Sequence, residues 1–271
     1  MTGLFKYSGA GNDFIILDGR GKDLSEYRHA SRILALCDRR SGFRAADDRI
    51  GADGLMILSD PAAAPSSHGA LDFKMEFFNP DGSSGMMCGN GGRCITAFAD
   101  KLGIKPASEG EYVFSAADGV HRARILKKEG NVCIVRLLMV PPSGLKQYPD
   151  GWFINTGTRH FVKFVSDIES IDINVEGSAI RHRNEFSPDG TNADFVQILP
   201  DGSLKIRTFE KGVEAETLAC GTGIVAAALI FNHIHHSDSS LTVTVHARKD
   251  KLEVEMTPQG IWLTGPAELI S

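Results

Sequence analysis

Cys88-Gly89-Asn90-Gly91-Gly92-Arg93 and Cys220-Gly221-Thr222-Gly223-Ile224-Val225 carry one device twice in a single chain: a cysteine, a glycine-rich turn, then a run of helical apolar character. After the first, Ile95, Phe98, Ala99 and Leu102 recur at helical spacing and Gly103 supplies a stop. After the second, residues 224–232 are apolar on nearly every side and rich in alanine, which predicts a buried core helix. Working outward, three further pairs of segments match in the same order. Ser8-Gly9-Ala10-Gly11-Asn12-Asp13-Phe14-Ile15 resembles Thr156-Gly157-Thr158-Arg159-His160-Phe161-Val162 with one residue dropped. Residues 50–58 match 191–199, aligning Asp53 with Asp194, and residues 74–79 match 206–211. Two long copies do not make a stacked solenoid, whose repeats are short and numerous. The matches predict two similar lobes that face each other.

Short β-rich runs bounded by Gly, Pro, Asp and Asn dominate both halves, at residues 14–18, 73–79, 112–115 and 131–138. Residues 27–37 read as helical. Residues 60–69 read as a surface loop from their Pro, Ala and Ser content, and the charged residues 43–49 read as a loop. The expected fold class is therefore α+β, with each lobe wrapping a β-sheet around one central helix.

The chain has 271 residues, enough for one large domain or two of ordinary size, and its 42% hydrophobic and 23% charged content is that of a globular protein. Its longest apolar stretch, residues 223–231, is too short to span a bilayer, so no membrane partner is expected. The start, Met-Thr-Gly-Leu-Phe-Lys-Tyr, lacks the pattern of a secretory signal, which makes the cytoplasm the default location. Five cysteines form an odd set with no regular framework, fitting free thiols in a reducing compartment. A net charge of −5 argues against nucleic acid.

A thiol ionises only slightly at neutral pH, but the amides of a helix N-terminus can lower its pKa by several units. The same amides can hold a carboxylate, and the glycines beside Cys88 and Cys220 leave room for close approach. Thiolate on one face of a carbon and thiol on the other would remove a proton and return one with inversion, the logic of a two-base racemase. Cys37, Cys94 and Cys133 have no counterpart in the other half and are assigned to core packing. A zinc site is not indicated, because no close Cys-x-x-Cys or histidine pair is present, and His233, His235 and His236 read as a solvated helix end or loop. Neither turn has the Gly-Lys-Ser/Thr ending of a nucleotide loop, and no lysine is marked as a Schiff-base residue. The expectation is an enzyme without metal or cofactor.

The residues resemble those of the diaminopimelate epimerase family, cofactor-independent enzymes that interconvert LL- and meso-diaminopimelate in lysine and cell-wall synthesis. The anchors are Gly9-Ala10-Gly11-Asn12-Asp13-Phe14, Phe78-Asn79-Pro80-Asp81-Gly82, residues 87–94 around Cys88 and residues 216–223 around Cys220. The resemblance implies two pseudo-symmetric lobes with the active site in the cleft between them. It also implies that the last strand, residues 261–268, crosses back to the first lobe. The expected lobes are residues 1–129 with 260–271, and residues 130–259. Cys88 and Cys220 would be the two acid/base thiols, their roles exchanging with the direction of reaction. Gly89, Asn90, Gly221 and Thr222 would bind the carboxylate at the reacting centre. His160 and Glu210 would sit beside the α-amino group and tune the thiols. Asn12, Asn79 and Asn192 would line the pocket for the substrate, although each asparagine alone reads as a turn residue. The substrate is a small amino acid, and dimers are common in the family.

Some positions depart from the family pattern. Lys211 stands where these enzymes usually have the arginine expected to grip the distal carboxylate, and an ammonium lacks the planar two-bond clamp of a guanidinium. Thr158 and Arg159 replace the usual Asn or Ser and the Pro, and Gly54 stands where many members have glutamine. These changes fall on substrate recognition, so racemisation of glutamate, aspartate or histidine is the nearest alternative. A double-bond isomerase using Glu210 alone and a redox sensor using the thiol pair are the readings from other classes.

Overall fold

The apolar spacing after Cys88 and the all-round apolar run after Cys220 both become helices, and the glycines are their first turns rather than loops before them. The structure is a computed structural model that describes residues 3–61, 70–85, 87–108, 110–235 and 241–271. Most of the expected loop at 60–69 lies outside the described residues, as does His236. The chain divides into two units, Met1–Leu137 with Pro266–Ser271, and Leu138–Gly265. The expected boundaries were 129/130 and 259/260. The difference at the first arises because residues 132–137 form a hairpin with the strand before them and stay with the first unit.

The first unit contains β1 (Leu4–Gly9), β2 (Asn12–Asp18), α1 (Ala30–Cys37), β3 (Leu55–Ser59), β4 (Phe73–Phe78), α2 (Gly89–Lys101), β5 (Tyr112–Ala116), β6 (Gly119–Glu129) and β7 (Val132–Leu138). β1 to β7 are successive neighbours. The end of the last strand of the chain, β16 (Gly260–Leu269), completes the ring. Leu269 lies opposite Tyr7 of β1, and its N–H donates to Asn131 O beside β7 at 2.8 Å. Eight strands thus close around α2, whose residues 89–99 are all buried. Phe98 seats this helix, its ring 5.1 Å from Phe5 and 6.0 Å from Tyr7. Full burial of such a side chain contributes about 1.5–3 kcal/mol.

The second unit contains β8 (Ser143–Tyr148), β9 (Gly151–Asn155), β10 (Arg159–Phe164), α3 (Ile173–Arg181), β11 (Asn192–Ile198), β12 (Leu204–Glu210), β13 (Ala215–Thr217), α4 (Gly221–His235), β14 (Leu241–His246), β15 (Lys251–Thr257) and the start of β16. Its strands run β8, β9, β10, β11, β12, β14, β15, β16, and α4 packs against β9 to β12 and β14 to β15. A helix apolar on every side must be buried, and residues 223–228 of α4 are. His233 and His235 lie in its exposed last turn, and Trp152 meets the His233 ring at 5.1 Å.

The duplication is visible in the strand pairings. In the first unit β1–β2 is antiparallel, β2–β3 parallel across α1, β3–β4 antiparallel, β4–β5 parallel across α2, and β5–β6 and β6–β7 antiparallel. In the second, β9–β10, β10–β11, β11–β12, β12–β14, β14–β15 and β15–β16 repeat that series, with α3 and α4 at the parallel steps. Parallel neighbours need a crossover, which these helices provide. The fold is α+β, two-lobed and dominated by strands.

Candidate active site

Cys88 is the N-cap of α2. It has extended φ/ψ of −110° and 150°, and its Sγ accepts from Gly91 N–H at 3.2 Å, where the positive end of the helix dipole favours a thiolate. Gly89 and Asn90 follow as the first two residues of the helix, both buried. The Asn90 amide is fixed on two sides: Nδ2 donates to Asn12 Oδ1 at 2.6 Å, and Arg93 Nη2 donates to its Oδ1 at 2.7 Å. Asn12, just past the turn from β1, donates in turn to Asp53 Oδ2 at 3.0 Å. Structure therefore joins three residues far apart in sequence, Asn12, Asn90 and Asp53, at the head of α2. Asn79 is held differently. Its Nδ2 donates to Ser83 Oγ at 3.0 Å and its N–H to Ser83 O at 2.9 Å, closing the turn after β4.

In the second unit Cys220 immediately precedes Gly221 at the start of α4, and Thr222 Oγ1 lies 3.3 Å from its Sγ. His160, near the start of β10 and fully buried, reaches Thr222 Oγ1 and Thr158 Oγ1 with Nε2, each at 2.9 Å. The two threonine hydroxyls are themselves 2.9 Å apart. On the other side of the ring, Nδ1 meets Asp194 Oδ2 at 2.6 Å, with both side chains fully buried. Burial by itself would keep His160 neutral, but the Asp194 carboxylate, with a hydrogen bond to Cys220, overrules it and pushes the imidazole up to about 10. His160 is thus an imidazolium close to the Cys220 sulfur. Asn192 braces the same corner, donating to Arg159 O at 3.0 Å and accepting from Lys211 N–H at 2.8 Å. Glu210 ends β12, partly buried, one residue before Lys211. The Lys211 side chain is exposed.

The structure thus brings Cys220, Thr222, Thr158, His160 and Asn192 into one hydrogen-bonded group, and gathers Cys88, capping Gly91 N–H, with the hydrogen-bonded Asn90 and Asn12 at the head of α2. Asp194 is the member that sequence reasoning missed. The repeat match already aligned it with Asp53, and an aspartate kept at the matching place in both copies was the available signal. Two departures from the family pattern also acquire a physical account. A Cβ on Gly54 would lie 2.3 Å from Cε2 of Phe77, so the Phe77 ring fills the space a longer side chain would take. Thr158 turns its hydroxyl onto His160 and Thr222, while Arg159 pairs with Asp189 at 2.7 Å.

The remaining cysteines differ from this pair. Burial raises Cys37 to about 11 and pushes Cys94 and Cys133 up as well, so all three stay thiols at neutral pH. All five cysteines are outside any disulfide. Among the described residues no group of three or more His, Cys, Asp or Glu side chains is assembled as a metal site, and no helix is long and apolar enough to cross a membrane.

Comparison with known proteins agrees with this geometry. The profile of the family described as diaminopimelate epimerase matches residues 4–139 and 152–270. The diaminopimelate epimerase of Chlorobaculum tepidum is 41% identical over 97% of this chain and 97% of its own length, and that of Flavobacterium psychrophilum is 37% identical over 98% and 97%. Among solved structures, a Bacillus anthracis phenazine biosynthesis protein of the PhzF family shares the fold at a TM-score of 0.70, covering 99% of this chain and 96% of that one at 12% identity. A hydroxyproline epimerase from Agrobacterium vitis does so at 0.61, with 98% and 88% covered at 18% identity. With the family match spanning nearly the whole chain and the paired cysteine-headed helices inside it, the protein belongs to the diaminopimelate epimerase family and is an isomerase.

Proposed function

We propose that the protein interconverts LL- and meso-2,6-diaminopimelate in the cytoplasm by a two-base reaction at one α-carbon. One thiolate of the Cys88 and Cys220 pair takes the α-proton from one face, and the other thiol delivers a proton to the opposite face. Neither pyridoxal phosphate nor a metal takes part. The amides at the first residues of α2 and α4, at Gly89, Asn90, Gly221 and Thr222, hold the α-carboxylate and take up the charge that grows on it in the transition state. His160 and Glu210 lie by the α-amino group, and Asn12, Asn79, Asn192, Thr158 and Lys211 receive the rest of the substrate.

One observation carries this reading: each unit places a cysteine at the head of its buried central helix, Cys88 as the N-cap of α2 and Cys220 immediately before Gly221 of α4. The names of the most similar relatives support the substrate. In D2O with LL-diaminopimelate, NMR loss of the α-proton coupled to appearance of the meso isomer is expected, and both are expected to vanish in Cys88→Ala and in Cys220→Ala. Exchange retained in both variants would remove the two-thiol mechanism. Exchange with glutamate, aspartate or histidine but not with diaminopimelate would instead make the protein a racemase of another amino acid, the reading that the Lys211 ammonium favours.

A further inference from the structure

We propose that Asp194 is a positioning residue for the Cys220 thiol. It pins His160 by Nδ1 with the ring charged, so that Nε2 faces the Thr222 hydroxyl and the imidazolium serves as the countercharge of a Cys220 thiolate. The inference rests on the two-thiol reading for its catalytic meaning but not for its geometry.

Four contacts form a continuous line within the second unit. Thr208 Oγ1 donates to Asp194 Oδ1 at 2.7 Å, Asp194 Oδ2 meets His160 Nδ1 at 2.6 Å, His160 Nε2 meets Thr222 Oγ1 at 2.9 Å, and Thr222 Oγ1 lies 3.3 Å from Cys220 Sγ. Both Asp194 oxygens are occupied, which fixes the carboxylate plane and through it the ring. The helix fits against this line. A Cβ on Gly223 would sit 2.5 Å from Asp194 Oδ1 and 3.2 Å from His160 Cε1, so only glycine lets the first turn of α4 approach the dyad. Cys220 and Thr222 arrive at the imidazole because of that approach.

The charges around the ring decide its state. Asp194 from β11 and Cys220 from the head of α4 are the titratable groups acting on His160. β12 contributes the Thr208 hydroxyl through Asp194, β9 sets the apolar Ile154 opposite His160, and Asn192 is neutral. A fully buried imidazole with an equally buried carboxylate against one nitrogen holds its second proton, because losing it would strand the carboxylate charge. The second proton is on Nε2, facing the Thr222 hydroxyl, which can accept it and donate its own hydrogen to sulfur. The thiolate is thereby stabilised through the Thr222 hydroxyl as well as by the nearby imidazolium charge. When Cys220 takes an α-proton, sulfur becomes a neutral thiol and the imidazolium keeps both of its protons.

The test uses the full-length chain carrying Cys88→Ala, in which the thiolate absorbance near 240 nm below pH 9 reports Cys220. Asp194→Asn keeps the shape and the hydrogen-bonding positions and removes the charge. The expected result is a rise of the Cys220 step by about 1 pH unit or more, with a roughly tenfold slower alkylation by iodoacetamide at neutral pH. An unmoved step overturns the proposal. Thr222→Val is expected to move the step in the same direction with Asp194 intact, and a Thr222→Val step at the parent pH also overturns it. A measurement needing neither variant is the 15N spectrum of histidine-labelled native protein. Imidazolium shifts for both His160 nitrogens at pH 7–8 are expected, and neutral-ring shifts overturn the proposal. Failure of the two-thiol reading is distinguishable. Native protein that exchanges no α-proton but whose Cys220 step still moves on Asp194→Asn loses the mechanism and keeps this inference. Native protein that exchanges the proton with an unmoved step loses this inference alone.

Discussion

Cys94 and Cys88 are six positions apart on one helix, yet only one suits chemistry. Cys94 is fully buried among apolar groups that push its thiol up, whereas Cys88 caps the helix and takes a hydrogen bond from Gly91. Location relative to the helix end, rather than residue type, makes the difference. Iodoacetamide at neutral pH is accordingly expected to label Cys88 and Cys220 well before Cys37, Cys94 and Cys133. Peptide mass spectrometry over time checks this, and early labelling of Cys94 or Cys37 would refute it. At this scale the sequence was informative about the thiols because the repeat singled them out. It was silent about Asp194, whose role depends on a neighbour that is 34 positions away in the chain and adjacent only once β10 and β11 pair. Phe77 in the space beside Gly54 was equally hidden, since a missing side chain does not announce what replaces it.

Among the elements, those with a strong period were legible. The expected strands at 14–18, 73–79, 112–115 and 131–138 fall within or beside β2, β4, β5 and β7, and both central helices are present. α3 was not foreseen. Its buried residues are Ile173, Gly177 and Ile180, and the middle one is a glycine packed on Phe209, so the helix shows little apolar stripe. β8 was missed because its first five residues are all exposed and polar or small apart from Leu145, leaving no alternation to read. Register too was out of reach: Ile15 lies opposite Leu55, but its match Val162 lies opposite Asp194 and not opposite Val196. Where β1 and β2 meet the loop after α1, Lys6 is fully buried 2.8 Å from Asp13, which also takes Arg39. Burial opposes ionisation of Asp13, but its hydrogen bonds to Arg39 and Lys6 win and hold it below its ordinary 3.8. A carboxylate lowered on folding adds stability above its unfolded value, and that stability is lost as pH falls through the folded value. Asp13→Asn is therefore expected to cost about 3–5 kcal/mol at pH 7, because Lys6 keeps a buried charge without its carboxylate. The cost should shrink as pH drops below about 4. Urea titrations from pH 3 to 7 test this, and a pH-independent difference would contradict it.

At the scale of the whole molecule, the chain is a duplication whose first copy cannot close its sheet with its own strands. β1 to β7 leave two open edges, and the end of β16, reached only after the entire second unit has been traversed, fills the gap. Short segments of backbone do this work. Lys6 N–H donates to Ser271 O at 2.7 Å, Ile270 N–H to Lys6 O at 2.8 Å and Leu269 N–H to Asn131 O at 2.8 Å, while Arg93 Nε, beside the head of α2, donates to Pro266 O at 3.4 Å. A chain ending at Gly265 would expose unpaired edges on β1 and β7, which are templates for aggregation, and would take the Pro266 contact from the Arg93 side chain that orients Asn90. Such a chain is expected to lose protection of amide hydrogens in β1, β7 and α2 first, while α4 and β10 to β12, built entirely from residues 138–265, keep theirs. Hydrogen exchange read by mass spectrometry would separate the units. Equal loss in both would mean that the second unit depends on closure of the first, and unchanged protection of α2 would mean that the last strand is dispensable. The geometry argues for the unequal result, because Leu269, Ile270 and Ser271 bond Asn131 and β1 of the first unit through their backbone.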